Sequence, residues 1–150
     1  MTERGEKDIL FREITRQRSD PSIYYGYLGM KLEELGEGTS RFRMPVSSRL
    51  FNSGGVVHGG ALASIAAAAA AAALATLVDP ASQDMFTVEM KINFLAPARD
   101  GDIVAQAEIV QRGRSVAVGE SLVYDGEGRL LAKAMATYLI RERKKDQEKG

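Results

Sequence analysis

One alanine-rich segment limits the folds open to this chain more than any other feature. From Ala61 to Val78 the sequence carries no charge, and Ala66 to Ala73 is an unbroken run of alanines. Because alanine has the highest helix propensity, we predict a helix from about Gly59 to Val78. Its length approaches that of a membrane span, but alanine is only weakly apolar, and Ser64 and Thr76 dilute the segment further. We therefore expect a buried helix whose small side chains let a sheet approach closely.

The residues before this helix predict a short helix and a hairpin. Residues Lys7 to Arg18 place three apolar side chains at the spacing of an amphipathic helix. These are Ile9, Leu10 and Ile14. Residues 19–29, which include three tyrosines, are typical of a turn-rich connection. Within 30–46, Phe42 and Met44 alternate with arginines after a "GEG" turn, a pattern that predicts a β-hairpin.

Four strand-like segments follow the long helix. The first alternates apolar and polar residues, with Val88, Met90, Ile92 and Phe94 on the apolar side. The second does the same around residues 103–109, and "DGEG" marks a hairpin turn between the last two. The polar end, 141–150, is expected to fray. A single long helix requires a mostly antiparallel sheet to curl around it. We therefore predict one α+β domain over 1–150.

Composition excludes several classes of function. Twenty basic residues balance twenty acidic ones, so the chain has no net charge to attract nucleic acid. The absence of cysteine excludes disulfides and thiolate nucleophiles, and His58, as the only histidine, excludes a multi-histidine metal centre. The charged N-terminus lacks the apolar core of a signal peptide. We expect a cytoplasmic protein without metal, other cofactor, nucleic-acid partner or membrane partner.

The order of the motifs resembles that of the hotdog-fold acyl-CoA thioesterases, especially the PaaI-like branch. "NSGGVVHGG" (52–60) precedes the long helix, and "TVEMKINFLAPAR" (87–99) follows it. The segment 111–139 is similar to the family's last three strands. The resemblance covers roughly 25–140 and implies a hotdog fold, a curled antiparallel sheet wrapped around the long helix. It also implies thioester hydrolysis and a homodimer or homotetramer, with the active site at the dimer interface and the asparagine loop facing the partner's helix.

The same resemblance implies roles for the residues at the start of the helix. The N–H groups of a first helical turn are free, and the helix dipole is positive there. By the resemblance, the Gly59 amide stabilises the oxyanion of the thioester, and Gly59 and Gly60 let the substrate approach the backbone. Asn52 would position the thioester or the attacking water, although an asparagine in such a loop is often only a turn former. We expect His58 to orient the loop rather than to act as a base.

The resemblance fails at the catalytic acid. The family carries Asp or Glu on the helix nine residues after the motif histidine, and that position is Ala67 here. Helical periodicity places Ser64, Ala71 and Leu74 on the same face as Ala67, so Ala67 is expected to line the substrate site without contributing chemistry. Two residues on the next strand are the remaining candidates. Thr87 matches a family Ser or Thr that holds the attacking water, and Glu89 is expected on the same face, either as a substitute acid or as an exposed charge.

A second set of residues resembles the family's coenzyme A site. In "QRGRS", Arg112, Gly113, Arg114 and Ser115 match the turn that binds pantetheine and nucleotide phosphates, and Arg99 is a further candidate. A basic turn facing water is the alternative. Two functions therefore remain open: a thioesterase for small or medium acyl-CoA with weakened catalysis, and a non-catalytic acyl-CoA-binding protein. The acyl group, and coenzyme A versus acyl carrier protein, also stay open. A structural subunit, or a lyase or hydratase of the same fold, is less consistent with these motifs.

Overall fold

The computed structural model describes residues 2–144, which form an antiparallel sheet and three α-helices. The helices are α1 (Glu3–Arg18), α2 (Tyr24–Leu28) and α3 (Gly59–Ala75), with a 3-10 turn at Ser48–Leu50. The strands are β1 (Lys31–Gly36), β2 (Thr39–Pro45), β3 (Gln83–Phe94), β4 (Asp102–Arg112), β5 (Val116–Asp125) and β6 (Leu130–Glu142). They lie in the order β1-β2-β4-β5-β6-β3, with every neighbouring pair antiparallel. The predicted α+β architecture, a long helix packed on an antiparallel sheet, is confirmed.

Helix α3 is the buried helix that the alanine run predicts. It ends at Ala75, three residues before the predicted Val78. The hydroxyl of Thr76 stops it by donating to the carbonyl oxygen of Ala73 at 2.7 Å while accepting from the Gly38 N–H at 2.8 Å. In the part of the chain described, no helix combines the length and apolarity needed to cross a bilayer.

Two buried serines of the sheet bind the backbone of α3. The Ser40 hydroxyl, on β2, donates to the Ala69 carbonyl at 2.6 Å, and the Ser121 hydroxyl, on β5, donates to the Ala66 carbonyl at 2.8 Å. Such contacts need the sheet to lie almost against the helix backbone, which only methyl-sized side chains permit. The alanine run therefore sets the distance between the two layers.

Helix α1 extends beyond its predicted limits. It begins at Glu3 because Thr2 caps it, accepting the Gly5 N–H at 3.3 Å. Ile14 is buried, but Ile9 is 54% exposed, so placing Ile9 on the packed face was wrong. The turn-rich connection that we predicted after α1 contains the short helix α2.

The end of the chain is more ordered than its polar composition indicates. Strand β6 runs to Glu142, with Arg141 paired to Asp84 on β3, and Arg143 then donates to the Asp84 carboxylate at 2.7 Å. The prediction of a frayed tail from residue 141 is therefore wrong for residues 141–143. The rest of that prediction, at 145–150, lies outside the described residues.

Candidate active site

His58 caps the N-terminus of α3. Its ring nitrogen Nδ1 accepts the Gly60 N–H at 2.8 Å, and the backbone N–H of His58 donates to the Leu50 carbonyl oxygen at 2.7 Å. An imidazole that accepts through Nδ1 is the neutral tautomer with its proton on Nε2. The ring nitrogen nearest the helix start is thus already used, and this geometry supports an orienting role for His58.

The Gly59 N–H is the free donor at this helix end. His58 takes the N–H of Gly60 through its side chain and that of Ala61 through its carbonyl oxygen, at 2.9 Å. Among residues 2–144, no acceptor is found for the Gly59 N–H. The ring of Phe94 lies against Gly59, where a Cβ would stand 3.1 Å from two ring carbons. The Phe94 ring therefore fills the space that a side chain at position 59 would need, and Gly59 itself stays half-exposed.

Asn52 holds the preceding loop together. Its Oδ1 accepts the Gly54 N–H at 2.9 Å and the Val56 N–H at 3.4 Å, and its backbone N–H donates to the Val56 carbonyl at 2.8 Å. Gly55 sits between them with φ +76°, a conformation that favours glycine. The turn-forming role is therefore real. It leaves the Nδ2 amide of this exposed side chain as a donor toward solvent.

One stripe of α3 borders a cavity of about 450 Å³. Among the residues lining it are Ala63, Ser64, Ala67, Ala68 and Ala71 of α3 and Tyr24, Tyr25, Met30, Thr87 and Met90 from around it. Ala67 therefore lines a cavity, as expected, and no acidic residue lines this cavity. Leu74, which we expected on the same face, is fully buried in the core instead.

The cavity is lined by hydroxyl groups on the α2 side. Ser64 donates to the Gly60 carbonyl at 2.7 Å, which uses its only proton, so Tyr24 donates to the Ser64 oxygen at 2.7 Å. Tyr24 and Tyr25 are cavity residues that we did not predict from the sequence. The three tyrosines within residues 19–29 could have indicated this role, because a solvent-exposed connection rarely contains so many aromatic side chains.

A bulge in β3 separates Thr87 from Glu89. Thr87 pairs with Tyr138, whereas Glu89 pairs with Thr137, the adjacent residue of β6. Since consecutive residues of a strand face opposite ways, Thr87 and Glu89 face opposite sides of the sheet, and the expectation of a shared face is wrong. The Glu89 carboxylate instead accepts the Thr137 hydroxyl at 2.9 Å. Turning Glu89 inward would turn Met90 out of the core, so Glu89 is poorly placed as a substitute acid.

The two arginines of the "QRGRS" turn have different surroundings. Arg112 is half-buried and donates to the carbonyl oxygens of Leu77, at 3.1 Å, and of Gly113. Gly113 forms the tight turn, with its N–H on the Val116 carbonyl at 2.9 Å. Arg114 and the neighbouring Ser115 are exposed. Arg114 is therefore the arginine of this turn that is open to a ligand.

Arg99 does not lie near this turn within one chain. It is exposed in the connection before β4, whereas Arg112 ends that strand. The length of β4 keeps the two ends roughly 30 Å apart. Within a single chain, the expected joint patch of Arg99 with "QRGRS" is therefore wrong.

Comparison with known proteins gives the same family as the motifs. Residues 54–132 match the Thioesterase superfamily. A Saccharolobus solfataricus protein, named only provisionally as an esterase, is 32% identical over 116 residues, which are 77% of this chain and 76% of that protein. The 1,4-dihydroxy-2-naphthoyl-CoA hydrolase of Escherichia coli is 28% identical over 77% of this chain and 84% of its own length.

The structural comparison agrees with the sequence comparison. The crystal structure of a thioesterase family protein from Silicibacter pomeroyi has a TM-score of 0.80 and 26% identity, covering 89% of this chain and 99% of that one. This chain belongs to the thioesterase superfamily and has its hotdog fold.

Proposed function

We propose that this protein hydrolyses small or medium acyl-CoA thioesters, with catalysis weakened by the alanine at position 67. The observation that carries the proposal is the free Gly59 N–H at the start of α3. The capping of Gly60 by His58 leaves Gly59 as the donor of this turn. A neutral histidine cap, a bare backbone and the positive end of a helix together suit an oxygen that becomes negative during acyl transfer.

The chemistry divides among the residues as follows. The Gly59 N–H donates to the thioester oxygen, and the exposed Nδ2 of Asn52 donates to the thioester or to the attacking water. Thr87 holds that water in the cavity beside Ala67. Gly59 and Asn52 of the same chain do not line this cavity, so the two parts of the site come from two copies of the chain. Water adds to the carbonyl carbon and loses a proton to the surrounding water, the carbon–sulfur bond breaks, and the thiolate of coenzyme A leaves. No side chain lining the cavity is a base for the water proton. General acid–base groups contribute about 10²- to 10⁴-fold, so turnover is expected to be slower by that order.

Coenzyme A is the carrier that the exposed residues favour. Arg114 and Ser115 are available for a phosphate, and the Gly113 turn orients them. The Escherichia coli relative is named for a coenzyme A thioester, which supports the same carrier here. Arg112 acts in this proposal by holding the turn against the end of α3.

A homodimer would complete the site. Strand β3 is an edge of the sheet and exposes Phe86, Val88 and Phe94 to 50%, 59% and 54%. Long apolar edges are rarely left unpaired in proteins. We infer that β3 pairs with β3 of a second copy, which would bring the Asn52 loop of one chain to the cavity of the other. Two such dimers can form a tetramer.

The decisive experiment measures thiol release from a panel of acyl-CoA and acyl carrier protein thioesters. The parent protein is compared with Ala67→Asp and, as a matched control, Ala75→Asp. Ala75 is half-exposed on the same helix but does not line the cavity. Slow parental turnover, raised at least tenfold by Ala67→Asp and unchanged by Ala75→Asp, is expected. Fast parental turnover abolished by Glu89→Gln would contradict the weakened-site mechanism.

The second candidate function is acyl-CoA binding without turnover. It is favoured by the absence of an acid from the cavity lining. Calorimetric titration with the same thioesters separates the two functions. Binding with no thiol release by the parent identifies a binding protein, and failure to bind any acyl-CoA rules out both.

A further inference from the structure

An apolar groove lies between α1 and the residues that follow α3. Its volume is about 510 Å³, and its apolar lining residues are Ile9, Leu10, Val78 and Pro80. A single exposed isoleucine such as Ile9 is ordinary on a protein surface, but here it borders a continuous apolar depression. Within the described chain, the groove shares no lining residue with the cavity at Ala67, and α1 lies outside the residues 54–132 that match the thioesterase superfamily. The proposed hydrolysis therefore leaves this groove without a role.

Acidic side chains line both walls of the groove. They are Glu3, Glu6 and Glu13 on α1 and Asp79 on the opposite wall. Of the lining residues that the structure describes, Lys7 alone is basic, and its Nζ donates to the Glu37 carboxylate, outside the groove, at 3.0 Å. The groove therefore has a local negative charge, although the chain as a whole carries none.

Two of the acids on α1 are already paired with cations of the same helix. Glu3 lies 3.9 Å from Lys7, and Glu13 lies 2.6 Å from Arg16. Among residues 2–144, the Glu6 carboxylate has no cation within ion-pair distance. Glu6 also lies about one helical turn before the exposed Ile9, on the same side of the helix. On α1, Glu6 is therefore the carboxylate that remains for a partner.

The opposite wall offers a second carboxylate. Asp79 is exposed and accepts the Ser82 hydroxyl at 2.6 Å and the Ala81 N–H at 2.9 Å, which lower its pKa and keep it charged. Arg143 lies on this side of the molecule, but its guanidinium donates to Asp84 at 2.7 Å. An apolar surface thus lies between two carboxylates that are not neutralised by an ion pair with another described residue.

We propose that this groove binds a basic amphipathic helix of a partner protein. Apolar side chains of that helix contact Ile9 and Val78, and its Lys or Arg side chains reach Glu6 and Asp79. Laying the apolar face of an amphipathic helix into a groove is a common mode of recognition. The lining residues belong to a helix and a loop, so the groove offers no strand edge for an added strand. Negative walls also repel the phosphates of nucleic acids and anionic lipids. This inference does not depend on thioester hydrolysis.

The test uses three synthetic peptides of about 15 residues, long enough to form a helix. The first, the Leu/Lys peptide, has Leu on one face and Lys on the other. The second has Glu in place of Lys, and the third has Ser in place of Leu. In fluorescence anisotropy we expect the full-length protein to bind the Leu/Lys peptide at least tenfold more tightly than the other two. That binding should weaken as salt is raised, because the walls are exposed.

Variants of the protein locate the binding site. Ile9→Arg should weaken binding of the Leu/Lys peptide at least tenfold, and Glu6→Lys at least threefold. Val110→Arg and Glu108→Lys on β4 are the matched controls and should bind as the parent does. Val110 is exposed to the same 54% as Ile9, and Glu108 is an exposed acid outside the groove. All four substitutions are at exposed positions, so each variant should keep the circular dichroism and unfolding temperature of the parent.

Several results would overturn this inference. They are no binding of the Leu/Lys peptide, equal binding of all three peptides, and parental binding by both Ile9→Arg and Glu6→Lys. Binding that requires removal of residues 145–150 would assign the groove to this chain's own end. A lower mass of Ile9→Arg than of the parent in light scattering would assign it to a second copy. Either assignment would exclude the partner helix.

Discussion

Gly59 and Gly60 are neighbours at the start of α3, yet a methyl group on each would meet different atoms. At Gly59 a Cβ would lie 3.1 Å from the Phe94 ring, and at Gly60 it would lie 2.9 Å from Nδ1 of His58. The first change obstructs the approach to a free N–H, and the second disturbs the helix cap. Substitutions at the pair can therefore test the proposed oxyanion role of Gly59 separately from the helix cap at Gly60.

We predict that Gly59→Ala lowers kcat about 10²- to 10³-fold, the effect of losing one oxyanion donor. Both alanine variants gain helix propensity, but only Gly60→Ala loses the cap, which is worth about 1 kcal/mol. Gly60→Ala should therefore unfold at a lower temperature than Gly59→Ala. Thiol-release kinetics and thermal unfolding of both variants provide the check. A Gly59→Ala protein with parental kcat would remove Gly59 from the proposed mechanism.

The arginines of the "QRGRS" turn form a second informative pair. Arg114 is exposed, so Arg114→Ala should raise KM for acyl-CoA about fivefold or more at unchanged kcat and stability, through the loss of one phosphate contact. Arg112 donates to the Leu77 carbonyl, so Arg112→Ala should lower the free energy of unfolding by about 1–2 kcal/mol. Steady-state kinetics and urea unfolding measure the two effects. An Arg114→Ala variant with parental KM would show that the turn faces water only.

At the scale of the element, one face of α3 packs against the sheet and another lines the cavity. Ala69 is fully buried with its carbonyl bound by Ser40, whereas Ala67 is half-buried on the cavity stripe. Both residues are alanines in the middle of the same helix, so their side chains and helix propensities are the same. Their different surroundings alone should decide what a larger side chain does.

We predict that Ala69→Leu costs about 1–3 kcal/mol or more, because the added carbons have no room between helix and sheet. Ala67→Leu should change the free energy of unfolding by less than about 0.5 kcal/mol but weaken acyl-CoA binding by filling the cavity. Urea unfolding and calorimetric titration of both variants test this contrast. Equal destabilisation by the two substitutions would mean that Ala67 is packed as tightly as Ala69.

The elements could be predicted from local patterns, and their irregularities could not. Alternation and helix propensity are properties of neighbouring residues, so the hairpins, α3 and the strand order along the chain followed from sequence. The bulge between Thr87 and Glu89 did not, because it depends on which pairing with β6 satisfies both ends of β3. Likewise, the "HGG" cap could be predicted because it involves only neighbouring residues. The contacts of Arg112 with Leu77 and of Tyr24 with Ser64 could not, because they join distant parts of the chain.

At the scale of the whole molecule, the exposed apolar edge of β3 predicts how copies associate. Phe86→Arg should convert the proposed dimer into a monomer, because a buried unpaired charge on each copy is unfavourable. Ile9→Arg, at a residue of α1 exposed to 54%, is the matched control and should leave the dimer intact. Light scattering coupled to size-exclusion chromatography measures the mass, and the monomeric variant should also lose thiol release. A Phe86→Arg protein of unchanged mass would exclude β3 as the interface.

The alanine stripe of α3 also has a consequence for how substrate size can be tuned. Ala63, Ala67 and Ala71 line the cavity one helical turn apart, so they mark positions along its floor at intervals of about 6 Å. A side chain at each of these positions lies at a different distance along the cavity. Replacing one of them with a larger residue would shorten the space for an acyl chain by a defined step. A series of variants with graded limits on the acyl chain of the proposed ligand could thus be made from this single scaffold, with its core left untouched.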